Sequence, residues 1–161
     1  MAGHDVITGA GREFFKQIEE LKKLQVRIGY QRGEASKTDD DGNEEDYCDI
    51  AMWNELGTSN GIPSRPFLRN SVDNNAEQIN KACKDAIKVI AKGGKAEAVL
   101  KRLGTMQKAR VQETISGGEF VPNAPSTVKR KGCNGSAKPL IDTGGLRSKV
   151  NFVICKKGEY D

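Results

Sequence analysis

The sequence predicts an α+β fold: a small antiparallel sheet packed against several helices, including one or two long helices, with long loop excursions. Three observations lead there. Apolar residues recur at helical spacing over 11–23, 67–90 and 95–115. They alternate with polar residues over 24–30 and 150–155, the period of a half-buried strand. Between these stretches stand Gly- and Pro-rich breaks and one long acidic run. The 161 residues suit a single domain, 1–161, with an acidic loop at 31–45 and an irregular basic connector at 117–145.

The elements follow in order. Phe14, Phe15, Ile18, Leu21 and Leu24 recur at one-face spacing and predict a helix from Gly11 to Lys23. Leu24–Tyr30 then alternates as a strand. Residues 31–45 hold no apolar side chain except Ala35 and predict a long loop. Asp46 is placed to cap a short helix running to Leu56, and Gly57 ends it. Turn formers fill Thr58–Pro66. From Phe67 the helical period returns through Leu68, Val72, Ala76, Ile79, Ala82, Cys83, Ala86, Ile87 and Ile90, and Gly93-Gly94 breaks it. A further helix over Lys95–Ile115 places Val99, Leu100, Leu103, Met106 and Val111 inward, and Gly117-Gly118 stops it. The connector carries Lys129-Arg130-Lys131. Leu146 opens the last ordered element, a strand whose Val150, Phe152 and Ile154 share an apolar face and which pairs with Leu24–Tyr30.

Charge is unevenly spread. The chain carries 26 Lys+Arg and 22 Asp+Glu, net +4. Glu34–Asp49 holds eight acids and one base, Lys37, a net of −7, which leaves +11 on the remainder. The expected molecule is a basic body with one acidic loop.

Several classes fall away. No apolar run approaches the roughly 20 residues that span a bilayer. Val6-Ile7 is followed by Thr8-Gly9-Ala10-Gly11, so no apolar signal core is expected at the N-terminus. Cys48, Cys83, Cys133 and Cys155 lie 35, 50 and 22 residues apart, and His4 is the sole histidine. That spacing argues against a zinc site and for reduced thiols in a protein made in the cytosol. It also leaves little for histidine acid–base or triad chemistry. No cofactor is expected.

Asp142-Thr143-Gly144 matches the active-site tripeptide of aspartic proteases, which need two such aspartates sharing a proton. Only 17 residues follow Gly144, and the preceding chain reads as largely helical. There is no room for the sheet that would hold the dyad, so the tripeptide reads as a turn in which Gly144 supplies a positive φ. An EF-hand loop centred on Gly42 would put Lys37 and Cys48 at its first and last ligand positions, and both are wrong. Gly93-Gly94-Lys95 lacks phosphate-loop spacing. Lys81, Lys84, Lys88, Lys92 and Lys95 track one helix face, which suits phosphates or an acidic protein surface. The plainer reading is a solvated face opposite the Ile79–Ile90 stripe. No aromatic side chain interleaves there, which argues against base stacking.

Two segments together are more specific. The first is Val26-Arg27-Ile28-Gly29-Tyr30, then Ile50-Ala51-Met52-Trp53-Asn54-Glu55-Leu56-Gly57-Thr58, then Ile62-Pro63-Ser64-Arg65-Pro66-Phe67-Leu68-Arg69. The second is Asn123-Ala124-Pro125-Ser126-Thr127-Val128-Lys129-Arg130-Lys131-Gly132, then Pro139-Leu140-Ile141-Asp142-Thr143-Gly144-Gly145-Leu146-Arg147-Ser148. In this order they resemble the tail-component (neck or tail-completion) proteins of long-tailed bacteriophages and the related virion-morphogenesis proteins. The match covers about 25–72 and 120–154. Asn54 stands where the family often has histidine, and the acidic loop 31–45 is longer than the resemblance leads one to expect.

The resemblance implies a non-enzymatic structural protein of the virion, forming a ring of six copies at the head–tail junction. Its implied partners are itself and the neighbouring neck, head-closure and tail-tube proteins. The resemblance also implies a lumen through which genomic DNA can pass, no membrane partner, and assembly in the bacterial host cytoplasm. A tail terminator ring capping the tail tube is the alternative, and a DNA-binding protein using the basic helix face is a more distant one. The expected assembly interface comprises Glu55, Arg65, Phe67 and Arg69 from the motif. It adds Asp39, Asp40 and Asp41 from the acidic loop and Lys84 and Lys88 from the basic face. Arg65 and Arg69 are expected to pair with Glu55 or with a neighbouring subunit's carboxylates. The acidic loop of one subunit would meet the basic helix of the next.

Overall fold

The structure, a computed structural model, describes residues 7–39, 41–131 and 138–159. The elements are α1 (Gly9–Lys23), β1 (Leu24–Gly29), β2 (Ser36–Thr38), β3 (Glu44–Asp46), α2 (Tyr47–Leu56), α3 (Phe67–Asp73), α4 (Ala76–Ala91), α5 (Ala96–Gly117), α6 (Pro125–Lys131), α7 (Gly145–Lys149) and β4 (Asn151–Lys156). This is the α+β class that the periodicities predict. β1 pairs with β4, and β2 pairs with β3. Lys157 N–H donates to Lys23 O at 2.9 Å, so the end of β4 lies beside the start of β1, the antiparallel sense. The chain divides into two compact units. One comprises Met1–Arg27, Glu77–Thr105 and Val153–Asp161; the other comprises Ile28–Ala76 and Met106–Phe152.

In the first unit, Thr8 caps α1 by accepting from Gly11 N–H at 3.2 Å. Phe14, Gln17, Ile18 and Leu21 form the covered face. Phe15, expected on that face, is exposed, because it lies one residue, about 100° of rotation, from Phe14. Its ring covers Phe14 edge-on at 5.6 Å. Buried Gln17 accepts from Ala96 N–H at 2.8 Å and so caps α5 from outside that helix. Lys95 pairs with Glu13 at 2.5 Å. On α4 the covered positions are Ile79, Ala82, Ala86 and Ile90; Cys83 and Ile87, expected with them, face outward. Gly93, at φ 94°, breaks the chain between α4 and α5.

The second unit is built round Tyr47, Ala51, Phe67, Val111, Ile115, Leu140, Leu146 and Val150, all buried. Tyr30 packs edge-on against Phe67, ring centroids 6.3 Å apart, and its hydroxyl donates to Leu146 O at 2.5 Å. Burial raises the Tyr30 pKa well above the ordinary tyrosine value, so it stays a neutral donor.

The structure departs from the sequence expectations at three places. The acidic loop contains a hairpin, β2–β3, with Ser36, Lys37 and Thr38 opposite Asp46, Glu45 and Glu44. Its tip is closed by the Asp39 carboxylate, which accepts from the Asp41 and Asn43 amides at 2.9 and 2.7 Å. Hydrogen bonds of short polar side chains, not an apolar pattern, make this element, so it leaves no hydrophobic period in the sequence. The helix expected from Phe67 to Ile90 is broken at Asn74-Asn75, where Asn75 turns its amide onto Ser71 O at 2.9 Å. Val72, expected inward, is 47 % exposed. The irregular connector ends in α7, and before that holds α6, which Pro125 opens with its preset φ. Leu146 therefore lies in a helix, and the last strand starts at Asn151.

Candidate functional site

The two motif segments meet within the second unit. α2 begins at Asp46, whose carboxylate accepts from Cys48 N–H at 2.7 Å and Gly33 N–H at 2.6 Å. These amides hold the Asp46 carboxyl below its ordinary pKa. α2 ends at Gly57, at φ 77°, where a Cβ would come within 2.9 Å of Ser64 N. That approach is the loop folding back. Ser64 Oγ donates to Glu55 O at 2.8 Å, and Arg65 N–H donates to Asn54 O at 2.6 Å.

This return buries Arg65, only 6 % exposed. Its Nε donates to Val121 O at 2.8 Å. Nη1 donates to Asn54 Oδ1, and Nη2 to Pro122 O and Asn123 Oδ1, each at 3.2 Å. The planar fork thus ties the first motif segment to the opening of the second. No carboxylate among the described residues pairs with it, and burial lowers its pKa without an opposing charge. The expected Glu55–Arg pairing is replaced by something else. Glu55 accepts from the Leu68 and Arg69 amides at 2.8 and 2.9 Å and caps α3. Pro66 stands at the cap position and has no polar side chain to do so.

The Asp142-Thr143-Gly144 turn forms the opposite wall. Lys37, the single base of the acidic run, crosses to Asp142 at 2.5 Å, and this hydrogen bond raises the Lys37 pKa. The Asp142 carboxylate thus faces an ammonium. Gly144 has φ 80°, as the turn reading expects. Leu140 is buried at φ 64°, an uncommon conformation for a non-glycine residue. Gly145 is required by close approach: a Cβ there would sit 1.7 Å from the Tyr47 hydroxyl.

Between these walls lies an open cleft of about 300 Å³. Asn54, Ile62 and Arg65 line it from the first segment, and Ala124, Thr127, Leu140 and Asp142 from the second. Lys37 and Glu45 reach it from the hairpin. No protein-family model, no curated protein and no solved structure matches the chain.

The expected interface residues therefore separate into two kinds. Phe67 has no exposed surface and Arg65 is buried, while the partly exposed Glu55 and Asp39 accept from backbone amides of their own chain. Arg69 and Asp41 are exposed on the second unit. Lys84 and Lys88 are exposed on α4, where Lys88 pairs with Asp85 at 2.9 Å. Asp40 lies outside the described residues. Sequence reasoning missed Asn54, Asn123 and the Lys37–Asp142 pair. A lone lysine inside an acidic run was the available signal for the last.

Proposed function

We propose that this chain is a non-enzymatic structural protein of a bacteriophage virion, forming a ring at the head–tail junction that joins or finishes the tail. One observation carries the reading. The two motif segments, far apart in sequence, converge on one cleft and are fastened there by the Arg65 fork. Residues used in this way build a rigid framework.

Charge supports self-association. Asp39, Asp46 and Asp49 of the acidic run are occupied by the tip amides, the α2 cap and Arg32. Glu34, Asp41 and Glu44 remain exposed on or beside the hairpin. On α4, Lys81 and Lys84 are exposed, as is Lys92 just beyond its end, and none of the three is in a close ion pair among the described residues. The hairpin of one copy against α4 of the next is a head-to-tail contact that can close into a ring.

Native mass spectrometry at low and moderate salt, with and without virion tails lacking this protein, is the test. A hexamer, or a monomer that forms a ring only on tails, is expected. A stable dimer with no affinity for tails overturns the reading. Asp41→Lys with Glu44→Lys, or Lys84→Glu with Lys88→Glu, should each weaken the ring, and all four in one chain should restore it. Unchanged assembly in each set removes the hairpin–α4 contact. The lysine stripe favours a second reading, binding to duplex DNA, for which steep salt dependence on random-sequence duplex is the signature.

A further inference from the structure

We propose that the cleft beside Arg65 binds an organic carboxylate on a short aliphatic stem, with the guanidinium as its counter-ion. Buried charges are normally paired, because desolvation penalises an isolated ion by several kcal/mol. Arg65 is 94 % removed from solvent, yet its four hydrogen bonds all go to neutral amide oxygens: Val121 O, Pro122 O, Asn54 Oδ1 and Asn123 Oδ1. A guanidinium has five N–H groups, so one, on Nη1, has no acceptor among the described residues.

The other charges of the cleft do not fill this place. Asp142 is held by Lys37 at 2.5 Å, and Glu45 is the cross-strand neighbour of Lys37 on the hairpin. Among the described residues no carboxylate acts on the Arg65 pKa, which burial lowers. An incoming carboxylate would therefore meet an uncompensated cation that four fixed acceptors hold in place. Ile62 and Leu140 supply apolar wall for its stem. A volume of about 300 Å³ is at the lower end for small-ligand sites. The carboxylate can belong to a free acid or to a glutamate side chain of a peptide. The inference goes beyond the virion reading and is tested without virion material.

The experiment is a titration of the ¹⁵N-labelled full chain, following the Arg65 Nε–H resonance. The probes are glutarate, N-acetylglutamate N-methylamide, its neutral glutamine isostere and inorganic phosphate. Saturable one-to-one shifts with either carboxylate are expected. The glutamine isostere should bind about tenfold more weakly or worse, since a charge-assisted pair is lost. Tighter binding of the peptide mimic assigns the site to a peptide segment; tighter binding of glutarate assigns it to a free acid. Arg65→Lys should weaken binding by a similar factor. Should that variant not fold, Ala124→Trp decides, because it plugs the cleft from an exposed position that is none of the Arg65 acceptors. Loss of binding with unchanged thermal unfolding supports the site. No saturable shift with either carboxylate, equal binding of the glutamine isostere or of phosphate, or unimpaired binding by Ala124→Trp overturns it.

Discussion

Replacing Glu55 by alanine tests the internal role assigned to a residue that its motif would place at an interface. The first four amides of α3 are all accounted for. Phe67 N–H donates to Arg65 O, Leu68 and Arg69 donate to the Glu55 carboxylate, and Asn70 donates to Pro66 O. Glu55→Ala leaves two of these amides without an acceptor. A lost helix cap costs about 0.5–2 kcal/mol and a hydrogen bond to a charged group about 1.5–3 kcal/mol. With water partly re-solvating the freed amides, the expected loss is about 2 kcal/mol. For a chain of this size that lowers Tm by about 4–8 °C. Glu55→Gln keeps one acceptor oxygen and should lose about half as much. Calorimetry measures both, and hydrogen exchange should show the Leu68 and Arg69 amides opening first. A Tm change of Glu55→Ala within about 1 °C of zero would refute the cap assignment.

Gly145→Ala should destabilise by about 1–3 kcal/mol, because its Cβ would overlap the Tyr47 hydroxyl. Tyr47→Phe in the same chain should recover part of the loss, and a double-mutant cycle in urea reads the coupling; strict additivity would count against the contact. Phe67→Ala, at a position with no exposed surface, should cost about 3–5 kcal/mol by urea unfolding. A near-neutral result would contradict its place in the core. The Asp46 carboxyl is held below its ordinary value of 3.8, so the folded chain binds fewer protons there than the unfolded chain. Its contribution is present above that value and lost as pH falls through the lower folded pKa. Asp46→Asn should therefore show a flatter decline of urea midpoint below about pH 4 than the parent, and parallel curves would exclude Asp46 as a source.

Much of the architecture is legible because it rests on local rules. The Asp46 cap, the Gly57 stop and the Gly93-Gly94 break are backbone requirements met by residues within a turn of the position they serve. The pairing of β1 with β4 follows from two strands with apolar faces to cover. The errors have a common source. A period count assigns faces as if a helix were straight, uninterrupted and covered along one whole stripe. Asn74-Asn75 breaks that assumption with a side-chain hydrogen bond, and Cys83 and Ile87 break it because the covered face is narrower than the apolar one. The β2–β3 hairpin carries no apolar pattern and is closed by Asp39 instead.

The candidate site divides along the same line. The sequence by itself singled out Ile62-Pro63-Ser64-Arg65-Pro66 and Asp142-Thr143-Gly144 by their spacing, and it determined that Gly144 supplies a positive φ, but it left Asn54, Asn123 and the Lys37–Asp142 pair unmarked. Only the tertiary structure decided what they do. Arg65 reaches over more than fifty residues to Val121, Pro122 and Asn123. Lys37 crosses 105 positions to Asp142, and Glu55 turns back on the helix that follows it. A carboxylate or guanidinium looks equally ready for solvent, a partner or a cap when read along the chain. Its use is set by which amide or carbonyl the fold leaves unsatisfied within about 3 Å of it, and that is a property of chain crossings, not of spacing.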